Sequence, residues 1–153
     1  MKAAAGVLAV AVILLAGCSS VATPAAKPTP KALRAVGVVT APMDYMDLMT
    51  GKYKNAQGAP CASGADYSDI KAGAQVVVTD ASSKTIGIGT LGDGVLQPGP
   101  KATAFDALCA FAFDVPGISA GSKFYGIHAG SPGRDVVQVP AAGISNVKVT
   151  IGP

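Results

Sequence analysis

Short apolar runs separated by Gly, Pro, Asp and Ser recur along most of the chain and predict strands rather than helices. The clearest alternation places Cys109, Phe111 and Phe113 on one face of a strand and small or aliphatic residues on the other. Residues 146–151 alternate in the same way, with Lys148 on the outward face, where a lysine protects an edge strand from pairing. Both segments are typical of half-buried β-strands.

The other candidate strands are rich in Val, Ile, Thr and Tyr, and they cover residues 33–40, 76–80, 85–91, 123–129 and 134–139. Residues 80–84 predict a tight turn that joins two strands into a hairpin, and Ile86 and Ile88 share one face of its second strand. We expect a further turn at residues 92–94 and a strand end at residues 115–117. Six or seven short strands without a long helix predict an all-β domain, a β-sandwich of the immunoglobulin-like or transthyretin-like kind.

The least regular part of the domain is residues 41–63, which Pro and Gly interrupt repeatedly. Asp44 is placed to cap a single helical turn. Tyr45, Met46 and Tyr53 are candidate partner contacts, because a loop with Tyr and Met offers an adaptable apolar surface. The alternative is that the methionines of this loop simply fold onto the core.

A short apolar run near the start of the chain ends in Leu15-Ala16-Gly17-Cys18. The run is too short to cross ~30 Å of hydrocarbon as a helix, and small residues before the cysteine suit a signal peptidase. This pattern resembles the lipobox of bacterial lipoproteins. The resemblance implies a signal peptide over residues 1–17, a diacylglyceryl group on Cys18, and a lipid-anchored protein on the extracytoplasmic face of the cell membrane. The alternative is an ordinary cleaved signal peptide in which the cysteine is incidental.

Residues 18–32 are predicted to form the lipidated tether, and residues 33–153 the folded domain. Pro24, Pro28 and Pro30 exclude helix and favour an extended, polyproline-like chain. Such a tether would hold the domain ~20 Å from the bilayer as a coil, or ~40 Å when extended.

Charge and cysteine content narrow the functional classes. Loss of Lys2 with the signal peptide lowers the formal net charge from +3 to +2, and the charges are not clustered, which argues against nucleic-acid binding. With Cys18 modified, Cys61 and Cys109 remain, and two thiols outside the cytoplasm usually form a disulfide. A metal or redox pair is the weaker alternative, since the chain has no Cys-x-x-Cys and one His. The fold prediction is thus a small disulfide-linked β-sandwich.

Candidate catalytic and metal-binding residues are few. His128 is the one histidine, and no Gly-x-Ser-x-Gly nucleophile motif accompanies it, so we expect a protein that is not an enzyme. Asp66 and Asp69 are spaced to bind a hard cation such as calcium, but neither belongs to an EF-hand loop. The favoured interpretation is that they cap turns before a strand. We expect no metal site and no cofactor.

A second pattern extends over about half of the chain that follows Cys18. It comprises Cys61, Gly64, residues 67–70, Gly73, residues 75–80, residues 89–92, Cys109, Phe111, Phe113 and residues 124–126. In these features the folded part resembles small lipid-anchored or secreted β-domain proteins of actinobacteria and their phages. The resemblance implies a disulfide-linked β-domain and no particular chemistry. Ser83 departs from it, because a turn glycine is usual at that position.

These inferences predict a membrane-anchored lipoprotein that acts as a non-enzymatic binding module at the cell envelope. Its expected partners are membrane lipid, through the anchor on Cys18, and an envelope protein or glycan. One alternative is a prophage-encoded lipoprotein that excludes superinfecting phage. Another is a carrier of a lipid or small ligand, which would need a deep apolar cavity.

Overall fold

The computed structural model describes residues 31–50, 57–99, 101 and 107–152. Within these ranges the chain forms seven strands: β1 (Ala32–Pro42), β2 (Gln75–Thr79), β3 (Thr85–Gln97), β4 (Leu108–Ser119), β5 (Phe124–Ala129), β6 (Val137–Pro140) and β7 (Val147–Thr150). They also contain the short helix α1 (Tyr45–Met49) and 3-10 turns at Ala65–Tyr67 and Ala141–Gly143. No helix in these ranges has the length and apolarity that a membrane crossing requires. Residues 1–30, with the predicted signal peptide, Cys18 and most of the tether, lie outside the described residues.

The seven strands form one mixed sheet in the order β6-β5-β2-β3-β4-β1-β7, and this sheet is nearly closed on itself. Neighbouring strands are antiparallel except for β1 and β7, which are parallel. The long strand β3 belongs to two halves of the sheet, because residues 85–90 pair with β2 and residues 91–97 pair with β4. We call β6, β5, β2 and residues 85–90 the β5 half, and residues 91–97, β4, β1 and β7 the β1 half. The all-β prediction with seven strands is confirmed.

Inward side chains from both halves form one apolar core. Tyr125, Phe111 and Ile118 are among its largest fully or almost fully buried members, and burial of each stabilises the fold by about 1.5–3 kcal/mol. The hydroxyl of Tyr125 donates a hydrogen bond to the carbonyl oxygen of Ser119 at 3.1 Å, so its polar end is satisfied inside the core. No charged side chain is buried in the part of the chain that the structure describes.

Two glycines of β3 allow the two halves to approach each other closely. A Cβ atom at Gly87 would lie 2.6 Å from Cγ2 of Ile118, and one at Gly89 would lie 2.8 Å from Cγ2 of Val115. Larger side chains at these inward positions would push β4 away from β3. The inward face of this part of β3 is therefore glycine, and Ile88 between the two glycines faces solvent.

The turn predicted at residues 92–94 is wrong, because β3 continues through it to Gln97. The pairing with β4 shifts register between Leu91 and Gly94, so the chain bends without reversing. Gly94 serves packing instead: a Cβ atom there would lie 2.6 Å from Sγ of Cys109.

The strand end predicted at residues 115–117 is also wrong, because β4 continues to Ser119. Pairing of β4 with β3 stops at Phe113, so Pro116 lies where β4 has a strand neighbour on one side only. The register against β1 also shifts close to this point. A proline is tolerated at such an edge position, since no ladder hydrogen bond requires its missing N–H group.

The predicted β2–β3 hairpin is confirmed. Its turn is held by Asp80, whose Oδ1 accepts hydrogen bonds from the N–H groups of Ser82 (2.8 Å) and Lys84 (3.0 Å). Ser83 has a φ angle of 63°, in the left-handed region where glycine is usually found. The backbone conformation thus explains why a glycine would suit this position.

Candidate functional site

Charge is distributed unequally between the two halves of the sheet. Each strand segment of the β1 half carries one charged residue: Arg34, Asp93, Asp114 and Lys148. The strand segments of the β5 half carry no Asp, Lys or Arg at all. Because inward positions are apolar in both halves, this difference lies on the outer faces.

The outer face of the β5 half is formed by side chains that alternate with the core positions. Strand register places Val77 of β2 beside Ile88 of β3 on one side and His128 of β5 on the other. Phe124 lies on the same face of β5 as His128, four residues before it, with Gly126 between them on that face. Ile88 is 59% exposed and Phe124 is 53% exposed.

The middle of this surface is packed around a glycine. A Cβ atom at Gly126 would lie 2.7 Å from Cγ1 of Val136 and 3.4 Å from Nε2 of Gln138, and it would overlap the hydroxyl of Thr79. These three side chains therefore cover the backbone of β5 from outside. Val136 remains 47% exposed, so the cover is itself an apolar surface.

We call this surface the uncharged face and define it by Val77, Thr79, Ile88, Phe124, His128, Val136 and Gln138. It combines exposed aliphatic and aromatic groups with hydroxyl, amide and imidazole groups. Exposed apolar side chains gathered on an uncharged face are typical of binding sites. Local sequence does not reveal this site, because Ile88, Phe124 and Val136 each resemble an ordinary strand residue. The signal that identifies it is the absence of charge from four strand segments.

The predicted contact residue Met46 lies elsewhere. It belongs to α1, which Asp44 caps as predicted through a 2.8 Å hydrogen bond from the N–H group of Met46 to Oδ1. The side chain of Met46 is 63% exposed, as a contact residue requires. Tyr53 and the side chain of Tyr45 lie outside the described part of the structure, and of the three predicted contact residues Met46 is the one described in full.

Met46 lies at the end of the domain opposite Ala32. Strand β1 starts at Ala32, which pairs with Ser119 close to Phe124 in the chain, and it ends at Pro42 just before α1. Eleven residues of strand extend over roughly 33 Å. The end at Ala32, called here the tether pole, is where the N-terminal segment leaves the domain; Met46 lies at the opposite, distal pole.

The predicted disulfide between Cys61 and Cys109 is present, with Cα atoms 5.8 Å apart. It joins the loop before β2 to the start of β4, and Cys109 is fully buried. A cleft of about 440 Å³ opens beside it, lined mainly by small and apolar groups together with Lys71 and Asp93. The bridge therefore has a structural position at the margin of the core.

Asp69 and Arg134 form an ion pair that fixes two loops to each other. Nε of Arg134 donates to Oδ2 of Asp69 at 2.6 Å, and the N–H group of Ser131 donates to the same oxygen at 2.8 Å. The guanidinium also lies 5.3 Å from the centre of the Tyr67 ring. Both donors belong to the loop after β5, so Asp69 joins two loops and, contrary to the prediction, does not cap the turn before β2.

Acid should weaken this loop contact. The hydrogen bond from Arg134 is the main cause that holds the pKa of Asp69 well below its usual range, with a smaller contribution from Ser131. Because the folded-state pKa is lowered, the stabilisation is complete above the ordinary Asp pKa near ~3.9 and is lost as pH falls below it. We expect Asp69→Asn to lower the free energy of unfolding by about 1–2 kcal/mol at pH 7, and by progressively less as the pH falls from 5 to 2.

Urea denaturation of the wild-type and variant proteins across this pH range would measure the difference. Asp135→Asn is the matched control, since it removes an exposed carboxylate from the same loop. A stability difference that stays constant from pH 7 to pH 2 would contradict this account of Asp69.

His128 makes a local hydrogen bond. Its Nε2–H group donates to the carbonyl oxygen of Ser131 at 2.8 Å, within the turn that follows β5. Among the residues that the structure describes, no group of three or more His, Cys or Asp side chains could hold a metal ion.

Comparison with known proteins finds no match. The chain matches no protein-family model, no curated protein and no solved structure. Any functional conclusion must therefore come from the surface itself.

Proposed function

We propose that this protein is a membrane-anchored, extracytoplasmic interaction module whose uncharged face binds another protein of the cell envelope. The observation that supports the proposal is the exposure of Ile88 and Phe124 on a face formed by strand segments without a charged residue. Leaving such groups in water is unfavourable by about 25 cal/mol for each Å² of apolar surface, so a partner that covers them gains affinity.

The composition of the face indicates the chemistry of the partner. A surface without charged side chains offers no ion pair, so its binding partner should present an uncharged, largely aliphatic surface. Glycan-binding faces usually rely on several aromatic rings, whereas this face exposes one, Phe124, beside the aliphatic Ile88, Val77 and Val136. These features favour a protein partner over a glycan.

The size of the face suggests a weak contact that anchoring would strengthen. Four strand segments of about five residues cover roughly 300 Å² in projection, which is less than the ~800 Å² that each partner buries in a stable complex. Confining both proteins to one membrane surface raises their effective concentration and compensates for a small interface. A lipid on Cys18 would provide this confinement, and the tether would leave the domain from Ala32 at the tether pole.

A lipid or ligand carrier is supported less well. The two clefts described for the domain, of about 440 and 350 Å³, both open onto its surface, whereas a carrier encloses most of its ligand.

Site-specific photo-crosslinking in cells that make the native protein would test the proposal. A photoreactive amino acid at position 124 should label one envelope protein, and Ile88→Lys should lower that labelling at least tenfold, because a lysine would be buried without a partner. Ala112→Lys is the matched control. It places the same charge at an exposed position on the outer face of β4, in the β1 half, and it should leave the labelling unchanged.

The anchor is tested in the same cells. Cys18→Ser should move the protein from the membrane fraction to the soluble fraction and reduce the labelling, since the local concentration falls. Equal labelling from position 112, labelling of a second copy of this chain, or binding to isolated cell-wall glycan that Ile88→Lys abolishes would each contradict a protein partner at the uncharged face.

A further inference from the structure

The nearly closed sheet has one opening, between its two end strands β6 and β7. These strands follow each other in the chain and are joined by residues 141–146. In the described residues no backbone hydrogen bond connects them. β6 and β7 run antiparallel to each other. Between them in the sheet lie five antiparallel pairs, each of which reverses the chain direction, and one parallel pair, β1 with β7. Each therefore presents one unpaired edge to the same opening.

A cleft of about 350 Å³ lies at one end of this opening, where the start of β6 and the end of β7 line it. Its floor is apolar and includes Ile127 of β5, Val137 of β6 and Val149 of β7. Its rim includes Asp135 and Arg134, and the guanidinium of Arg134 is already engaged by Asp69. The rim is therefore not an open anion site, and the groups left to recognise a ligand are the strand edges and the apolar floor.

The cleft faces away from the tether. It is lined by the end of β7 and by Ile151 and Gly152, and β7 runs parallel to β1 towards Pro42 at the distal pole. The connection through residues 141–146 lies at the other end, where the N–H group of Val36 donates to the carbonyl oxygen of Ile144. An approaching chain would thus enter from the distal side.

We propose that this cleft receives an extended peptide segment of another protein, which adds a strand between β6 and β7 and closes the sheet. Two strands with one missing strand between them are about 9.6 Å apart, and the inserted strand would complete the backbone hydrogen bonds of both edges. Both edge strands are four residues long, so a segment of four to five residues fits. The segment lies parallel to one edge strand and antiparallel to the other.

The side chains around the opening define the sequence of this segment. Alternate residues face the apolar floor and are aliphatic. The residues between them face outward, beside Lys148 on β7 and the neutral Gln138 on β6. Lys148 favours an acidic residue beside it, whereas Asp135 on the rim disfavours one at the end of the segment next to the start of β6. Lys148 also disfavours a second copy of this chain as the occupant, because pairing of β7 with β7 would bring two lysines together. This peptide site goes beyond the proposed function, and Gln138 is the one residue that it shares with the uncharged face.

The probe for this site is a capped octapeptide with alternating valine and glutamate at its centre. Titrated into the isotope-labelled protein, it should shift the backbone amide signals of residues 137–139 and 147–150 and slow their exchange with solvent. Two analogues, N-methylated either at the valines or at the glutamates, keep the side chains and remove the N–H groups on one side of the strand. Each analogue should bind at least tenfold more weakly, because each loses pairing with one edge.

Exchanging the charge at position 148 tests whether the outward residues of the bound peptide lie beside this position. Lys148→Glu should weaken the valine–glutamate peptide at least fivefold and favour a valine–lysine peptide, whereas Lys123→Glu, the same change at an exposed position near the tether pole, should alter neither. Absence of binding at millimolar peptide, equal affinity of the N-methylated analogues, or amide shifts confined to the uncharged face would overturn the inference. Concentration-dependent self-association through β7 would also overturn it. None of these results affects the cross-linking test at Phe124.

Discussion

Replacement of Cys61 and Cys109 together by serine should lower the free energy of unfolding by about 4 kcal/mol. The disulfide closes a loop of 48 residues, and the chain-entropy estimate for a loop of that length is about 4 kcal/mol at 25 °C. Cys109 is fully buried beside Gly94 and Phe111, so a serine there also adds an unsatisfied hydroxyl. Because small domains are stable by only about 5–15 kcal/mol, the reduced form should be close to unfolding at 37 °C.

Urea denaturation of a chain that begins at Lys31 would measure this loss, with and without a reducing agent. The reductant should destabilise the wild-type domain by a comparable amount and leave the double variant unchanged. A loss below 1 kcal/mol in the double variant would show that the bridge adds little to a domain that the core already holds together.

Replacement of Gly37 by alanine should cost about 3 kcal/mol or detach β7, the second large effect that we expect. Gly37 lies on β1 opposite Val147 of β7. An added Cβ atom would overlap the carbonyl oxygen of Val147 and lie 2.6 Å from its Cβ and 2.9 Å from Cζ of Phe113. The carbonyl belongs to the backbone and cannot move aside as a flexible side chain would, so the two parallel strands must separate.

Thermal unfolding and amide exchange of residues 147–150 would measure the effect. The matched control is Gly133→Ala: Gly133 lies in the exposed loop before β6, and an added Cβ atom there would meet nothing within 4 Å. We expect the control to change the free energy of unfolding by less than 0.5 kcal/mol. Equal stability of the two variants would mean that β7 accommodates the extra atom by a shift along β1.

The sequence predicts the strands of this domain well where burial alternates, and poorly where glycine and proline have unusual roles. Cys109, Phe111 and Phe113 alternate as in a simple half-buried strand, and the structure places them so. Glycine and proline usually end strands, so Gly94 and Pro116 look like strand ends in the sequence. In the structure Gly94 makes room for the disulfide, and Pro116 occupies an edge position of β4. Such roles depend on neighbours that are distant in the chain, which local pattern cannot reveal.

The candidate site is harder to predict from local sequence pattern than the strands are. In a strand with Ile88 between two glycines, the pattern of apolar residues suggests that the isoleucine is buried. In the structure Ile88 faces solvent instead. Val115 and Ile118 of β4 fill the inward space beside Gly87 and Gly89, so the glycines are the residues that face the core. Met46 and the cap at Asp44 were predictable from local sequence, whereas the face around Phe124 required the strand order.

The position of β1 has a mechanical consequence. This strand emerges from the N-terminal segment at Ala32 and lies between β4, which is antiparallel to it, and β7, which is parallel to it. A force applied along that segment, while the distal pole is held, would pull β1 lengthwise between both neighbours. All of its inter-strand hydrogen bonds would then bear the load together in shear, instead of breaking one after another as in a peeled hairpin. The domain is therefore built to resist stretching along the axis of β1.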